Sequence, residues 1–305
     1  MQGAAAVLKQ GEQAGDPSAA RELAIWFLEG KRLRRSLAQS RAYFERAATL
    51  GDPTSARIWR GFVAGGVGAP ADWPRAMELL LDAAPGDSEA DRQLRLIERM
   101  SLGPDGSPVQ DFASELLCDA PEVRVFRNLF SREECDYLVD IARPLMQRSV
   151  VIDPTSGQFV PNPIRTSKGT AFPYVDENPA VHALNRRLAA ASGTDVKAGE
   201  PAQLLQYSPG QEYRRHSDAI NGVPPAQQRV LTFLVYLDED YEGGETTFPV
   251  SGLSFRGRTG DGLLFRNASD QGVPDRNALH AGLPVTRGMK HILSRWIRAM
   301  PLIVE

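Results

Sequence analysis

The chain has 305 residues, 42% of them hydrophobic and 24% charged, and a formal net charge of −3. That composition suits one large or two ordinary globular domains with a real core, and it excludes a nucleic-acid binder that relies on a strongly basic surface. The two cysteines, Cys118 and Cys135, form neither a disulfide scaffold nor a C-x-x-C pair, so reduced thiols in a cytoplasmic protein are the expectation.

Met1–Asp16 holds a short Ala/Val/Leu run without the basic lead-in of a signal peptide. Gly15-Asp16-Pro17 then opens a pattern that returns as Gly51-Asp52-Pro53 and Gly86-Asp87-Ser88, at spacings of 36 and 35 residues. Helical, alanine-containing stretches follow each: Ser18–Glu29, Thr54–Ala64 and Ser88–Met100. Between them lie Ser36–Leu50 and Trp73–Ala84, with Ala47-Ala48 and Ala83-Ala84 near their ends, where small residues let paired helices approach closely. A period in the mid-thirties marks stacked helix–turn–helix units, with glycine ending one helix and aspartate or serine capping the next. Lys31–Arg35, with four charges, reads as a solvated loop. This half resembles tetratricopeptide-like repeats of the Sel-one type, which implies either protein recognition or a structural prop. With about two and a half units the array is too short to stand alone, so it is expected to pack on the second half or to form a homodimer.

Gly103–Val109 reads as a linker. Glu122–Phe130 alternates like an entering strand, and Ser131–Gln147 reads as a helix opened by a capping box of Ser131 and Glu134. Asp153–Pro163 is a long Pro/Gly/Asn loop, and Asn178–Ala191 is a further helix. Short strands dominate thereafter: Leu204–Tyr207, Glu212–His216, Arg229–Leu237, Thr246–Phe248, Leu263–Arg266, Ala281–Thr286 and Met289–Arg298. Val230–Leu237, the longest apolar run, is far too short to span a bilayer as a helix. The pattern predicts an α + β chain: a helical repeat array, then a compact β barrel or sandwich with flanking helices.

His216 and Asp218 stand at i and i+2, which on a strand continuing through 218 share one face. His280 lies on another predicted strand. Two histidines and a carboxylate with open positions compose the facial triad of non-haem ferrous oxygenases. H-x-D alone is a chance pattern in many proteins, so its context carries the weight. Around it stand Leu205-Gln206-Tyr207-Ser208-Pro209-Gly210-Gln211-Glu212-Tyr213, Arg229, Thr232, Tyr236-Leu237, Gly243-Gly244-Glu245-Thr246-Thr247-Phe248-Pro249, Leu279-His280-Ala281-Gly282-Leu283-Pro284-Val285, Gly288-Met289-Lys290 and Trp296-Ile297-Arg298.

In these blocks and their order, Glu122 to Ile303 resembles the prolyl 4-hydroxylase family of iron- and 2-oxoglutarate-dependent dioxygenases. The resemblance implies a double-stranded β-helix (jelly-roll), with Fe(II), 2-oxoglutarate, O2 and ascorbate as cofactors and co-substrates. It implies hydroxylation of prolyl residues in a peptide or protein, with oxidation of 2-oxoglutarate to succinate and CO2. His216, Asp218 and His280 would hold the metal, and Lys290 would take the far carboxylate of 2-oxoglutarate. Tyr236, Tyr207 and Thr232 are further co-substrate candidates, while Tyr213, Arg229, Trp296 and Arg165 are candidates for substrate contact. Arg298 stands where some members carry histidine. His291, pointing away from Lys290, reads as structural, and His182 receives no role. Asp153–Pro163 and Ala219–Gln228 would be mobile loops over the substrate. The domains are then 1–102 (repeats), 103–120 (linker) and 121–305 (dioxygenase). Neither a nucleic-acid nor a membrane partner is expected. The same scaffold also serves other residues or small molecules, and a non-catalytic binding module is the alternative of a different class.

Overall fold

The structure, a computed structural model, describes residues 2–152, 159–161, 164–173 and 175–302. Most of the Asp153–Pro163 loop therefore lies outside the described residues. Contacts divide the chain into two units: Met1–Gln110 with Phe172–Arg187 (and the last residues, Ile303–Glu305), and Asp111–Ala171 with Leu188–Leu302.

Among the described residues, the first unit contains α1 (Gln2–Gln13), α2 (Pro17–Glu29), α3 (Leu37–Thr49), α4 (Pro53–Gly65), α5 (Trp73–Ala83) and α6 (Ser88–Glu98), together with the first part of the later helix Pro179–Ser192. The recurring aspartates are their joints. Asp16, Asp52 and Asp87 are the N-caps of α2, α4 and α6, each accepting a backbone N–H of the first turn through its side chain. The second oxygen of Asp52 accepts from Arg21, and that of Asp87 from Arg57 and Arg60, so each carboxylate also ties back to an earlier helix. Ala24, Leu37, Phe44, Phe62 and Val67 form the core between consecutive helices. Helix α1, which the sequence pattern did not predict, extends the array. Gly61 on α4 lies against the Glu177 carbonyl oxygen, where a Cβ would sit 2.3 Å away.

The second unit is built on antiparallel strands. Strands β1 (Glu115–Asp119) and β2 (Glu122–Phe126) precede α7 (Arg132–Ala142), followed by β3 (Gln147–Arg148), β4 (Val150–Ile152), β5 (Phe159–Pro161) and β6 (Lys168–Phe172). After α8 (Pro179–Ser192) come β7 (Ala202–Tyr207), β8 (Tyr213–His216), β9 (Arg229–Tyr236), β10 (Tyr241–Gly243), β11 (Thr246–Phe248), β12 (Leu253–Phe255), β13 (Gly262–Arg266), β14 (His280–Gly282), β15 (Val285–Gly288) and β16 (Lys290–Arg298). An eight-stranded sheet runs β1-β2-β13-β9-β16-β7-β6-β3, and a four-stranded sheet runs β12-β11-β14-β8. Helix α7 begins with the expected capping box. Val123, Phe248, Phe265, Val285 and Ile292, drawn from both sheets and from β15, share one buried core.

Some boundaries differ from the sequence reading for local reasons. The strand predicted over Glu122–Phe130 ends at Phe126 because the chain turns at Asn128, which adopts φ 51°. Ala281–Thr286, predicted as one strand, is two: β14 pairs with β8 and β11, whereas β15 pairs with β10. Pro284 between them has no N–H to continue a ladder. Strand β1 falls inside the stretch read as a linker.

Candidate metal and co-substrate site

Strands β8 and β14 pair with His280 opposite His216 and Gly282 opposite Tyr213, so β8 carries one extra residue between those pairs. This bulge re-aims the side chains: the Tyr213 ring stacks on the His216 imidazole with centroids 3.5 Å apart. The strand ends at His216 rather than continuing through 218. Asp218 instead reaches the site from the turn that follows, where Ser217 is exposed and Asp218 buried.

His216, Asp218 and His280 each offer a ligand atom, and these atoms lie within 4.8 Å of one another. Nε2 of His216 is 3.5 Å from Asp218 Oδ1, and Nε2 of His280 is 3.6 Å from Oδ2. Each imidazole is oriented from behind. Nδ1–H of His216 donates to the Arg214 carbonyl at 2.8 Å, and Nδ1–H of His280 to the Ala278 carbonyl at 2.9 Å. Both Nε2 lone pairs are thereby left for a metal. Burial would raise the Asp218 carboxyl, but the facing His280 and His216 and the Thr232 hydroxyl outweigh it and hold it well below the usual carboxylate range. Burial pushes His280 down, so its neutral, ligating form is favoured. Two imidazoles and one carboxylate facing one point suit ferrous iron with open positions.

A cavity opens on this cluster, lined among others by Tyr207, Tyr213, Thr246, Lys290, Ser294 and Trp296, with Leu205, Leu234 and Ile292 as apolar wall. Lys290, Ile292, Ser294 and Trp296 alternate along β16, which puts one face of that strand into the cavity. Lys290 is buried, and its ammonium donates to the Gly244 carbonyl at 2.7 Å. That carbonyl is presented by a Gly243-Gly244 turn in which both residues adopt φ 70°. Burial pulls the lysine down to about 8, against the opposing pull of Asp238 and Glu245.

The structure does not give every sequence candidate a cavity position. Tyr207 and Trp296 line it with Lys290. Thr232, expected to add a hydroxyl to the co-substrate, donates instead to Asp218 Oδ2 at 2.7 Å and accepts from Asn267 Nδ2 at 2.7 Å. Tyr236 is fully buried behind the lining, and its hydroxyl meets Thr246 Oγ1 at 2.7 Å. Arg229 is not in the lining either: its guanidinium lies 3.9 Å over the Trp296 ring and grips Glu200 with two bonds of 2.7 Å. The guanidinium of Arg165 sits 5.5 Å over Tyr213, and its Nη1 donates to Gln203. His291 points away from Lys290 onto Asp238 and Gln206. The Ala219–Gln228 loop is tied at its base, where the buried Gln228 side chain bonds both backbone groups of Ile220.

The roles of Asn267, Thr246 and Glu200 in the site escaped the sequence reading. Each is joined to the site by tertiary pairing rather than by local spacing; Glu200 lies 29 residues from Arg229. A polar residue at the mouth of a predicted strand is a weak signal in itself.

A family profile described as the 2OG-Fe(II) oxygenase superfamily matches residues 202–298, which contain the whole triad and Lys290. Prolyl 4-hydroxylase 1 of Arabidopsis thaliana is 36% identical over 167 residues, covering 53% of this chain and 59% of that protein. Probable prolyl 4-hydroxylase 10 of the same plant is 31% identical over 206 residues, covering 60% of this chain and 71% of that protein. The chain spans 59% and 50% of the length of two of the curated relatives it matches. Among solved structures, a viral collagen prolyl hydroxylase from Paramecium Bursaria Chlorella virus-1 is 28% identical, with a TM-score of 0.48 over 60% of this chain and 99% of that one. Among the described residues no helix is long and apolar enough to cross a membrane.

Proposed function

The chain belongs to the prolyl 4-hydroxylase family of 2OG-Fe(II) oxygenases, and from this membership we propose that it hydroxylates prolyl residues in a peptide or protein at the cavity of β8, β14 and β16. The observation that carries the reading is the meeting, in one cavity, of a convergent His-Asp-His set with a buried lysine whose bonded partner among the described residues is a single carbonyl. Iron and 2-oxoglutarate, when bound, supply oxygen activation coupled to oxidation of 2-oxoglutarate to succinate and CO2, leaving one oxygen atom for a C–H bond.

The chain's own residues then have separate tasks. His216, Asp218 and His280 hold the iron, with Thr232 and Asn267 keeping the carboxylate oriented and ionised. Lys290 receives the far carboxylate of 2-oxoglutarate, and the Thr246 hydroxyl, backed by Tyr236, is a second donor on the same wall. Leu205, Leu234 and Ile292 keep water from the co-substrate. Tyr213 and Trp296 are the aromatic walls against which a proline ring packs. We also propose that residues 1–102 act as a Sel-one-like array that recruits a protein. The repeated Asp-capped joints support that reading. Two free cysteines, Cys118 and Cys135, suit a reducing compartment such as the cytoplasm.

The test is purified protein with Fe(II), 2-oxoglutarate and proline-containing peptides. Succinate should be released in proportion to peptides gaining one oxygen on proline, and His216→Ala should abolish both. Oxygen found only on other residues, or equal iron binding by wild type and His216→Ala, would overturn the assignment.

A further inference from the structure

At the Trp296 end of the cavity two arginines share one carboxylate. Arg229 and Arg298 are register partners on β9 and β16. Like charges directly opposite on neighbouring strands destabilise a sheet, so something must compensate for them. Glu200 does so in part: it accepts both bonds from Arg229, and Arg298 Nε donates to the same carboxylate at 2.5 Å. Glu200 is itself held firmly. Its N–H donates to the Trp296 carbonyl at 2.7 Å, and its carbonyl accepts from Arg295 Nε at 3.2 Å. Two guanidiniums against one carboxylate leave a surplus positive charge. Donors are left over too. Among the described residues, Nη1 of Arg229 and Nη2 of Arg298 have no hydrogen-bond partner. The indole N–H of Trp296, a residue 6% exposed and part of the cavity lining, also has none.

We propose that this corner selects an acidic acceptor: a peptide in which a residue next to the hydroxylated proline carries a side-chain carboxylate. The inference rests on the prolyl hydroxylation reading and deepens it. The reach is right. Trp296 stands opposite Thr232, whose hydroxyl touches Asp218, and the arginine pair lies three positions further along β9. At about 3.3 Å per residue that is about 10 Å along the strand from Thr232, the hydrogen-bond partner of Asp218, the span of one neighbouring residue and its side chain. An incoming carboxylate would neutralise the surplus charge and accept one spare N–H from each guanidinium in charge-assisted hydrogen bonds. A neutral amide there would leave the charge standing.

The experiment compares peptides identical but for the residue beside proline, which is Glu, Gln or Lys, placed before or after it. Hydroxylation by the wild-type holoenzyme is measured as kcat/KM, and binding of labelled peptides is measured without oxygen. The Glu peptide is expected to exceed the Gln peptide by about tenfold or more, the effect of one charge-assisted hydrogen bond, with Lys lowest and the preference shrinking as salt is raised. The Glu/Gln ratio should fall toward one in Arg298→Gln and be retained in Arg298→Lys. Equal values for Glu and Gln peptides in wild type, or an unchanged ratio in Arg298→Gln, would overturn the proposal. Acid-dependent binding without any proline oxidation would keep the charge selection and remove the prolyl assignment instead, so the two failures are distinct.

Discussion

The Lys290 ammonium lies 2.7 Å from the Gly244 carbonyl oxygen, and among the described residues this single neutral acceptor serves a buried group with three N–H donors. Such a cation is costly to bury until an anion joins it. Removing it should therefore stabilise the protein without co-substrate. Lys290→Met, which keeps most of the stem, is expected to raise stability near neutral pH by on the order of 1–3 kcal/mol, and to abolish the stabilisation that 2-oxoglutarate gives wild type. The sign of the pH dependence follows from the lysine being drawn from 10.5 to about 8. Below about 8 it is protonated folded and unfolded, and the penalty is complete. Between about 8 and 10.5 only the unfolded chain keeps the proton, so stability rises with pH across that window. Denaturation at a series of pH values should show this rise in wild type and not in Lys290→Met. Affinity for 2-oxoglutarate should fall over the same window.

Thr232→Val removes the hydroxyl that donates to Asp218 and leaves a buried carboxylate with one bond fewer. The shape is nearly kept, and the buried Asn267 amide, which donates to the same hydroxyl, loses its acceptor as well. Iron affinity should drop by about 10–100-fold, the usual range for a group that orients a metal ligand, while the fold is retained. Titration with Fe(II) under nitrogen, or with Co(II) followed by absorbance, measures it. Affinity within twofold of wild type would mean that the hydroxyl serves packing alone.

This Thr232 contact marks the limit of what the sequence discloses. His216, Asp218, His280 and Lys290 were legible through the family blocks that surround them, since H-x-D alone is a chance pattern, and β16 was legible as a β-branched and aromatic-containing run following Gly288. The helical joints were legible because Gly-Asp-Pro encodes a stop, a cap and a start in three residues. Thr232 was misassigned because strand register decides whether a hydroxyl faces the cavity or the carboxylate behind it. Likewise β8 was drawn too long: a bulge is set by its partner strand, and nothing within Tyr213–Asp218 announces it. Glu200 was invisible because its role exists only once Arg229 and Arg298 are paired across β9 and β16.

Gly61 tests the packing of α4 on the segment that follows β6. A Cβ there would lie 2.3 Å from the Glu177 carbonyl oxygen, and backbone cannot rotate aside as a long side chain can. Alanine, otherwise favoured in a helix, should cost about 1–3 kcal/mol here. An exposed control, Gly3→Ala, meets nothing within 4 Å and should be neutral or slightly stabilising. Thermal denaturation of the two variants decides it, and equal melting temperatures would count against this contact.

Asp87 performs two tasks with two oxygens, and the tasks can be separated. Oδ1 accepts the N–H groups of Glu89 and Ala90 as the cap of α6, while Oδ2 accepts from Arg57 and Arg60. Arg57 is largely exposed, but the Arg60 side chain is only 7% exposed, so loss of the carboxylate strands a buried guanidinium. Asp87→Asn keeps a capping oxygen but loses the ion-pair acceptor, setting a neutral amide NH2 against the two guanidiniums. Asp87→Ala removes both. The cap alone is worth about 1 kcal/mol, whereas breaking a buried pair by deleting one partner costs about 3–5 kcal/mol. Most of the destabilisation in Asp87→Ala should therefore already appear in Asp87→Asn. Replacing Arg60 as well, in Asp87→Asn/Arg60→Met, should recover much of it, because the stranded charge is then gone. Chemical denaturation of the three variants measures the partition. If Asp87→Asn is as stable as wild type, the joint is held by the cap and not by the ion pair.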